Sequence, residues 1–198
     1  MRATGRIGQV HTRRASADDW DAIWPVWHAV VAEGETCPWA PDTDEDTARG
    51  VWMLPPPAEV LIMEERDSRS PDGTTVIATA LLVPSLPGLG DHVVQATLLV
   101  DPKWVDHGGP PHRPRLRGGG HWESASRLAA EQMIDYAVER GYRAMQLNAV
   151  ISANARLVSL WRSLAFRLVG TLPAAFRHPW LGDVDLYVMY RFLPTRDG

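Results

Sequence analysis

Asn154-Ala155-Arg156-Leu157-Val158-Ser159-Leu160-Trp161-Arg162-Ser163-Leu164-Ala165-Phe166 is the stretch that decides how the rest of the chain is read. Leu160 and Leu164 stand four residues apart, so they share one face of a helix predicted over 154–164. Phe166 opens a strand over 166–172, and all three apolar residues are expected in the core. Upstream lies a strand over 143–151. Before it comes a helix over 123–140, with the stripe Ala125, Leu128, Ala129, Met133, Tyr136 and Ala137, closed by Gly141. A strand over 92–100 precedes that helix. Strand, crossover helix and strand make a parallel pair.

Further out, strands are expected at 10–14, 59–64, 74–83 and 184–193. Ser16 and Asp19 form a capping-box-like start. Trp20, Ile23, Trp24, Trp27, Val30 and Val31 then trace an amphipathic stripe that ends at Gly34, with Pro25 expected to bend or divide it. Thr43 with Asp46 marks a second helix start, running to about Leu54 before Pro55-Pro56-Pro57. Residues 103–121 carry glycine, proline, histidine and arginine without a period and read as a long loop. The result is one α/β domain over 1–198 with a short tail at 1–9. Its mixed sheet has helices on both faces.

Bulk properties exclude some functions. The 198 residues carry a formal charge of -4, which argues against a nucleic-acid binder. Cys37 is the one cysteine, so no internal disulfide forms. No apolar run is long enough to span a bilayer and 1–9 has no signal core, so a cytoplasmic protein without membrane attachment is expected. The nine tryptophans are expected mainly in the core.

The order of elements, and four stretches within it, resemble the GNAT family of N-acetyltransferases. The stretches are Glu33-Gly34-Glu35-Thr36 with Pro41-Asp42-Thr43, Leu98-Leu99-Val100-Asp101-Pro102, Gly141 to Asn148, and Asn154 to Phe166 running on into Val169-Gly170-Thr171 and Phe176-Arg177-His178-Pro179. The resemblance covers roughly residues 10 to 193. It implies a splayed parallel strand pair with acyl-CoA in the gap. Backbone groups of Leu98, Leu99 and Val100 would pair with the pantetheine arm, and Asn154 would contact it. Trp161 stands where the family often has a tyrosine that protonates the departing thiolate. An indole N–H donates a hydrogen bond but is no useful acid.

The resemblance also implies a glycine-rich loop for the CoA pyrophosphate, because backbone N–H groups must approach the anion closely. Counting back from Gly141 aligns that loop with His121, Trp122, Glu123, Ser124, Ala125 and Ser126. An indole and a carboxylate then occupy positions where glycine and phosphate belong. A second register places Arg117-Gly118-Gly119-Gly120 there, with Arg113 and Arg115 just upstream. His107, His112 and His121 enrich the same segment without the spacing of a metal motif, so no metal is expected. Glu123 is a candidate acid or base.

On the acceptor side the resemblance points to the loop after the first helix and to the last two strands. Glu35 and His178 are the candidate acid/base residues there. Trp39, Asn148, Arg177 and Asp185 are candidates for substrate contact, Asn148 equally as a satisfied structural amide. The expected function is acyl-CoA-dependent N-acetylation of a small amine, with acetyl-CoA as cofactor and a homodimer compatible with the sequence. The alternative is a GNAT-fold protein that has lost CoA binding and uses the cleft for acid/base chemistry, such as a cyclisation or elimination, or for binding.

Overall fold

The computed structural model describes residues 10–66, 73–105 and 122–195, with backbone alone at 122–124. Seven strands form one sheet: β1 (Val10–Arg14), β2 (Glu59–Arg66), β3 (Thr74–Pro84), β4 (Val93–Val100), β5 (Ala144–Ile151), β6 (Arg167–His178) and β7 (Gly182–Phe192). Their spatial order is β1-β2-β3-β4-β5-β7-β6. Every neighbouring pair is antiparallel except β4 and β5, which are parallel as the crossover requires. Among the described residues four α-helices cover the sheet: α1 (Trp20–Ala32), α2 (Glu45–Trp52), α3 (Trp122–Glu139) and α4 (Ala155–Ser163).

Two cores result from strands that are buried on both faces. Leu61 and Met63 of β2 turn to one side and join Ala129, Met133 and Trp161 of α3 and α4. Val60 and Ile62 turn to the other and join Trp20, Trp27 and Trp52 of α1 and α2. The second core is built largely of indoles. Trp24 stacks on Trp27 at 5.7 Å, Trp27 meets Trp39 at 5.5 Å, and Trp39 meets Trp52 edge-on at 5.7 Å. Buried Thr79 is satisfied in full, donating to the Leu61 carbonyl at 2.9 Å and accepting the Trp52 indole N–H at 3.1 Å.

The helix boundaries follow from local chemistry. Ser16 donates its N–H and its hydroxyl to Asp19, and Arg13 grips the same carboxylate through both terminal guanidinium nitrogens, at 2.6 and 3.0 Å. Pro25 lies inside α1 on its exposed side and does not divide it. α2 starts one residue later than expected: Asp44 caps it, accepting from the Thr47 N–H at 2.9 Å, while Thr43 closes the preceding turn onto the Ala40 carbonyl. Gly141 ends α3 at φ +85°, with its N–H on Val138 and that of Tyr142 on Ala137. The same pair of bonds ends α4, from Ala165 to Arg162 and from Phe166 to Trp161, but here an alanine takes φ +63°.

β6 runs six residues further than the sequence suggests, ending at His178 rather than Leu172. Between Leu172 and Phe176 its register slips, so residues 173–175 bulge opposite Asp185. Ala174 sits at φ +50° and donates its N–H to the Asp185 carboxylate at 2.9 Å. The bulge destroys the alternation that would have betrayed the strand.

Leu160, Leu164 and Phe166 are buried. Leu164→Ala should therefore cost about 2–5 kcal/mol, read from the denaturant midpoint. Ala165→Gly should raise the same midpoint, adding on the order of 0.5–1 kcal/mol, because it relieves a left-handed Cβ clash at some cost in chain entropy. The Asp19 carboxyl is held well below the usual carboxylate range, chiefly by its hydrogen bond to Arg13 and against the cost of burial. A depressed folded value gives stability that is present at neutral pH and lost as pH falls below about 4. Asp19→Asn should be less stable at neutral pH and flatten the acid limb of a stability-against-pH curve.

Candidate functional site

β4 and β5 pair through Val93–Ala144, Val94–Met145 and Gln95–Gln146, then part. Hydrogen bonds fix which backbone groups face the opening. Ser85 bonds the Val93 carbonyl and Asp101 bonds that of Ile77, so the odd-numbered residues of β4 turn to β3. Leu98 and Val100 therefore turn their N–H and C=O groups toward the gap, as Ala96 turns its C=O, whereas Leu99 spends its own on β3. The Leu99 side chain belongs to the indole core. An edge of this kind inside a fold is a template for an extended ligand.

A row of amides pins the apex. Asn148 donates to the Gln95 side chain at 2.6 Å, Gln95 donates to the Ser85 hydroxyl at 3.2 Å, and Gln146 donates to the Asn148 carbonyl oxygen. Both ends of the Asn148 amide are engaged, which is the structural reading of that residue. Beyond the apex β5 shifts register against β7 between Leu147 and Val150, which bends it away from β4.

On the α4 side, Asn154 caps the helix by accepting the Leu157 N–H at 3.0 Å. Its amide nitrogen is the group left to reach a ligand. Trp161 is buried and meets Phe166 edge-on at 5.2 Å. Ser126 is buried within α3. Arg117, Gly118 and Gly120 lie outside the described residues, as do the side chains of Glu123 and Ser124. Helix α3 is already formed at Trp122.

At the open end of the gap the α1–α2 loop meets the β6–β7 hairpin. The Trp180 indole donates to Glu35 at 3.1 Å, and the Trp180 backbone N–H donates to His178 Nδ1 at 3.2 Å. A neutral His178 ring then carries its proton on Nε2 and presents a donor rather than a base. The structure thus brings Glu35 and His178 together through Trp180, an exposed residue that nothing in the sequence pattern singled out. The other acceptor-side candidates stand elsewhere. Trp39 packs between Trp27 and Trp52, Asp185 caps the bulge, and Arg177 is exposed on the opposite face of β6 from His178, 3.8 Å from Asp183. Cys37, close in sequence to Glu35, is buried, and its thiol is pushed up to about 12 by loss of solvent, so it is no nucleophile. A separate depression of about 500 Å³ lies between α2 and the β1–α1 connection. Arg14 and Arg49 there are bonded to Glu59 and to the Ala17 carbonyl.

A mixed sheet whose one parallel strand pair parts after three residues is the architecture of the GNAT fold. The chain belongs to the GCN5-related N-acetyltransferase family: it is 36% identical to a member from Kribbella flavida, over 93% of this chain and 98% of that one, with a TM-score of 0.70. It shares the fold of a putative acetyltransferase from Salmonella typhimurium solved with acetyl-CoA (20% identity, 96% and 98% covered, TM-score 0.64). It also shares that of a phosphinothricin acetyltransferase from Sinorhizobium meliloti in complex with the same cofactor (18% identity, 96% and 94% covered, TM-score 0.67). No protein-family model and no curated protein matches the chain. No helix among the described residues is long and apolar enough to cross a membrane.

Asn154 allows its two roles to be separated. Asn154→Ala should lose about 0.5–2 kcal/mol of stability, whereas Asn154→Asp, an equally good cap, should keep it. Thermal or denaturant melts of the two variants check this.

Proposed function

We propose that the chain is an acyl-CoA-dependent N-acetyltransferase acting on a small amine. The observation that carries this reading is the parted strand pair, with the backbone groups of Leu98 and Val100 and the Ala96 carbonyl turned into the gap. These donors and acceptors fit the amides of a pantetheine arm, and the Asn154 amide nitrogen adds one more donor. Acetyl-CoA, when bound, supplies the acetyl group as a thioester.

The helix start bears on the phosphates. Because Trp122 is already helical, positions 122–126 are unlike a turning loop. The glycine run Gly118-Gly119-Gly120 stands just before that helix in the chain, the order in which a phosphate-binding loop feeds a helix N-terminus. We assign pyrophosphate binding to Arg117, Gly118 and Gly120 on that basis. On the acceptor side Glu35 takes the amine proton, directly or through water, and His178 donates through Nε2 to hold the acceptor. Trp161 contributes packing and one indole N–H but no proton.

Calorimetric titration with acetyl-CoA tests the assignment. Wild type should bind in the micromolar range, about -8 kcal/mol. Arg117→Ala should weaken binding by roughly 1.5–3 kcal/mol, and Asn154→Asp should weaken it without lowering the melting midpoint. Trp122→Gly/Glu123→Gly should bring no gain. Absence of binding in wild type would overturn the proposal in favour of CoA-independent chemistry in the same cleft.

A further inference from the structure

We propose that the depression between α2 and the β1–α1 connection is a second binding site, for a monocarboxylic acid with a compact apolar body. It goes beyond the acetyl-transfer reading and does not depend on it. β3 stands between β2 and the gap-lining β4. α1, 13 residues and so about 20 Å long, separates this corner from the loop that carries Glu35.

The space is open and has the size of a ligand site. Its volume is about 500 Å³, within the range of roughly 300–1,000 Å³ common for small-molecule pockets. One wall is a single face of α2, where Asp46, Arg49, Gly50 and Met53 recur at helical spacing. Glycine is disfavoured inside a helix, and Gly50 does not take a positive φ that would call for it. A Cβ added there would meet nothing within 4 Å, so no close approach of another element calls for it either. What the missing side chain provides is room in the depression. The floor is apolar and reachable. Met53 and Leu54 are half-buried and pack over the indole core, with Ala58 and Val60 buried beside them. Hydrocarbon laid on that floor removes apolar surface from water.

Two guanidiniums set the charge. Arg49 donates one terminal nitrogen to the Ala17 carbonyl on the far wall at 3.2 Å, which orients its fork against a neutral partner and leaves its charge uncancelled by that bond. Arg14 stands 3.6 Å from Glu59 with half of its side chain exposed, and both Glu59 oxygens are already engaged by Arg140, at 2.9 and 3.1 Å. Among the described residues Asp46 is the one carboxylate that lines the depression. Two cations against one anion leave a single positive charge, which one carboxylate answers. A guanidinium fork takes both carboxylate oxygens at once. A dianion would exceed that balance, and a bare ammonium would face two guanidiniums.

The test is calorimetric titration of the full chain with hexanoate, set against hexanol, hexylamine and acetate. Hexanoate should bind saturably with a Kd of about 1 mM or tighter, and each of the other three at least tenfold more weakly. Arg14→Gln and Arg49→Gln should each weaken hexanoate at least threefold. Gly50→Leu should abolish its binding while the melting midpoint stays at or above that of wild type, since leucine suits a helix better than glycine. Saturating CoA should leave the hexanoate isotherm unchanged. The proposal is overturned by hexanol or hexylamine binding as tightly as hexanoate, or by an affinity that neither arginine variant lowers. Binding that survives Gly50→Leu or is displaced by CoA would put hexanoate elsewhere and overturn it too, as would the absence of saturation.

Discussion

The parting of β4 from β5 after three paired residues is the constraint on which the rest of the molecule depends. A strand edge left without a partner inside a fold costs free energy for each unpaired N–H and C=O. Something must hold the two halves apart against the tendency to zip. One device is the row from Ser85 through Gln95 and Asn148 to Gln146, which cross-links the apex in one register. Another is the bulge in β5 after Leu147, which sends the strand toward β7. The third is the division of the cores: α1 anchors β3 and β4, while β5 is held by β7.

The two halves differ in stiffness for reasons of composition. The α1–α2 side is filled by interlocked indoles, each with few rotamers and a large buried area. The β6–β7 side has no such filling. Leu168, Val169, Leu172, Trp180, Leu181 and Phe192, all in or beside that hairpin, are exposed. Its shape comes instead from backbone devices, above all the bulge that Asp185 caps. The Glu35–Trp180 bond ties the stiff half to the bare one across the mouth of the cleft. A polar link between exposed side chains is worth little to stability, so its value lies in fixing the indole plane.

Fold was legible because its determinants are local and repeated. The helical stripe before Gly141, the leucine spacing in 154–164 and the crossover logic each point to the same sheet, and the structure has it. Misreadings arose where one side chain overrides a pattern. Asp44 takes the cap from Thr43 because its oxygen reaches the Thr47 N–H. Asp185 lengthens β6 by accepting a single backbone N–H, a contact across eleven residues that no periodicity reports. Trp180 was missed for the same reason: an indole at a hairpin tip looks like turn sequence until a glutamate 145 residues away is seen to hold it. Asn148 was readable only as a polar residue in a strand, since its partners Gln95 and Gln146 come from two strands that must first be paired.

The remaining question is where protons can move around the gap, and the positions of the polar side chains narrow it. Trp161 is a buried indole that packs on Phe166 and has no acidic proton to give. Two of the four tyrosines, Tyr136 and Tyr142, have hydroxyls pushed up first by burial and then by the negative charge of Glu59, and they belong to the Glu59–Arg140 cluster. Cys37 is shut away as a neutral thiol. At the open end the described residues include the Glu35 carboxylate, held by the Trp180 indole, and the His178 imidazole, which already accepts a backbone N–H. That asymmetry favours proton removal over proton supply. In the acetyl-transfer reading proposed above, the chemistry this arrangement would serve is removal of a proton from an incoming nitrogen, with solvent re-protonating the group that leaves.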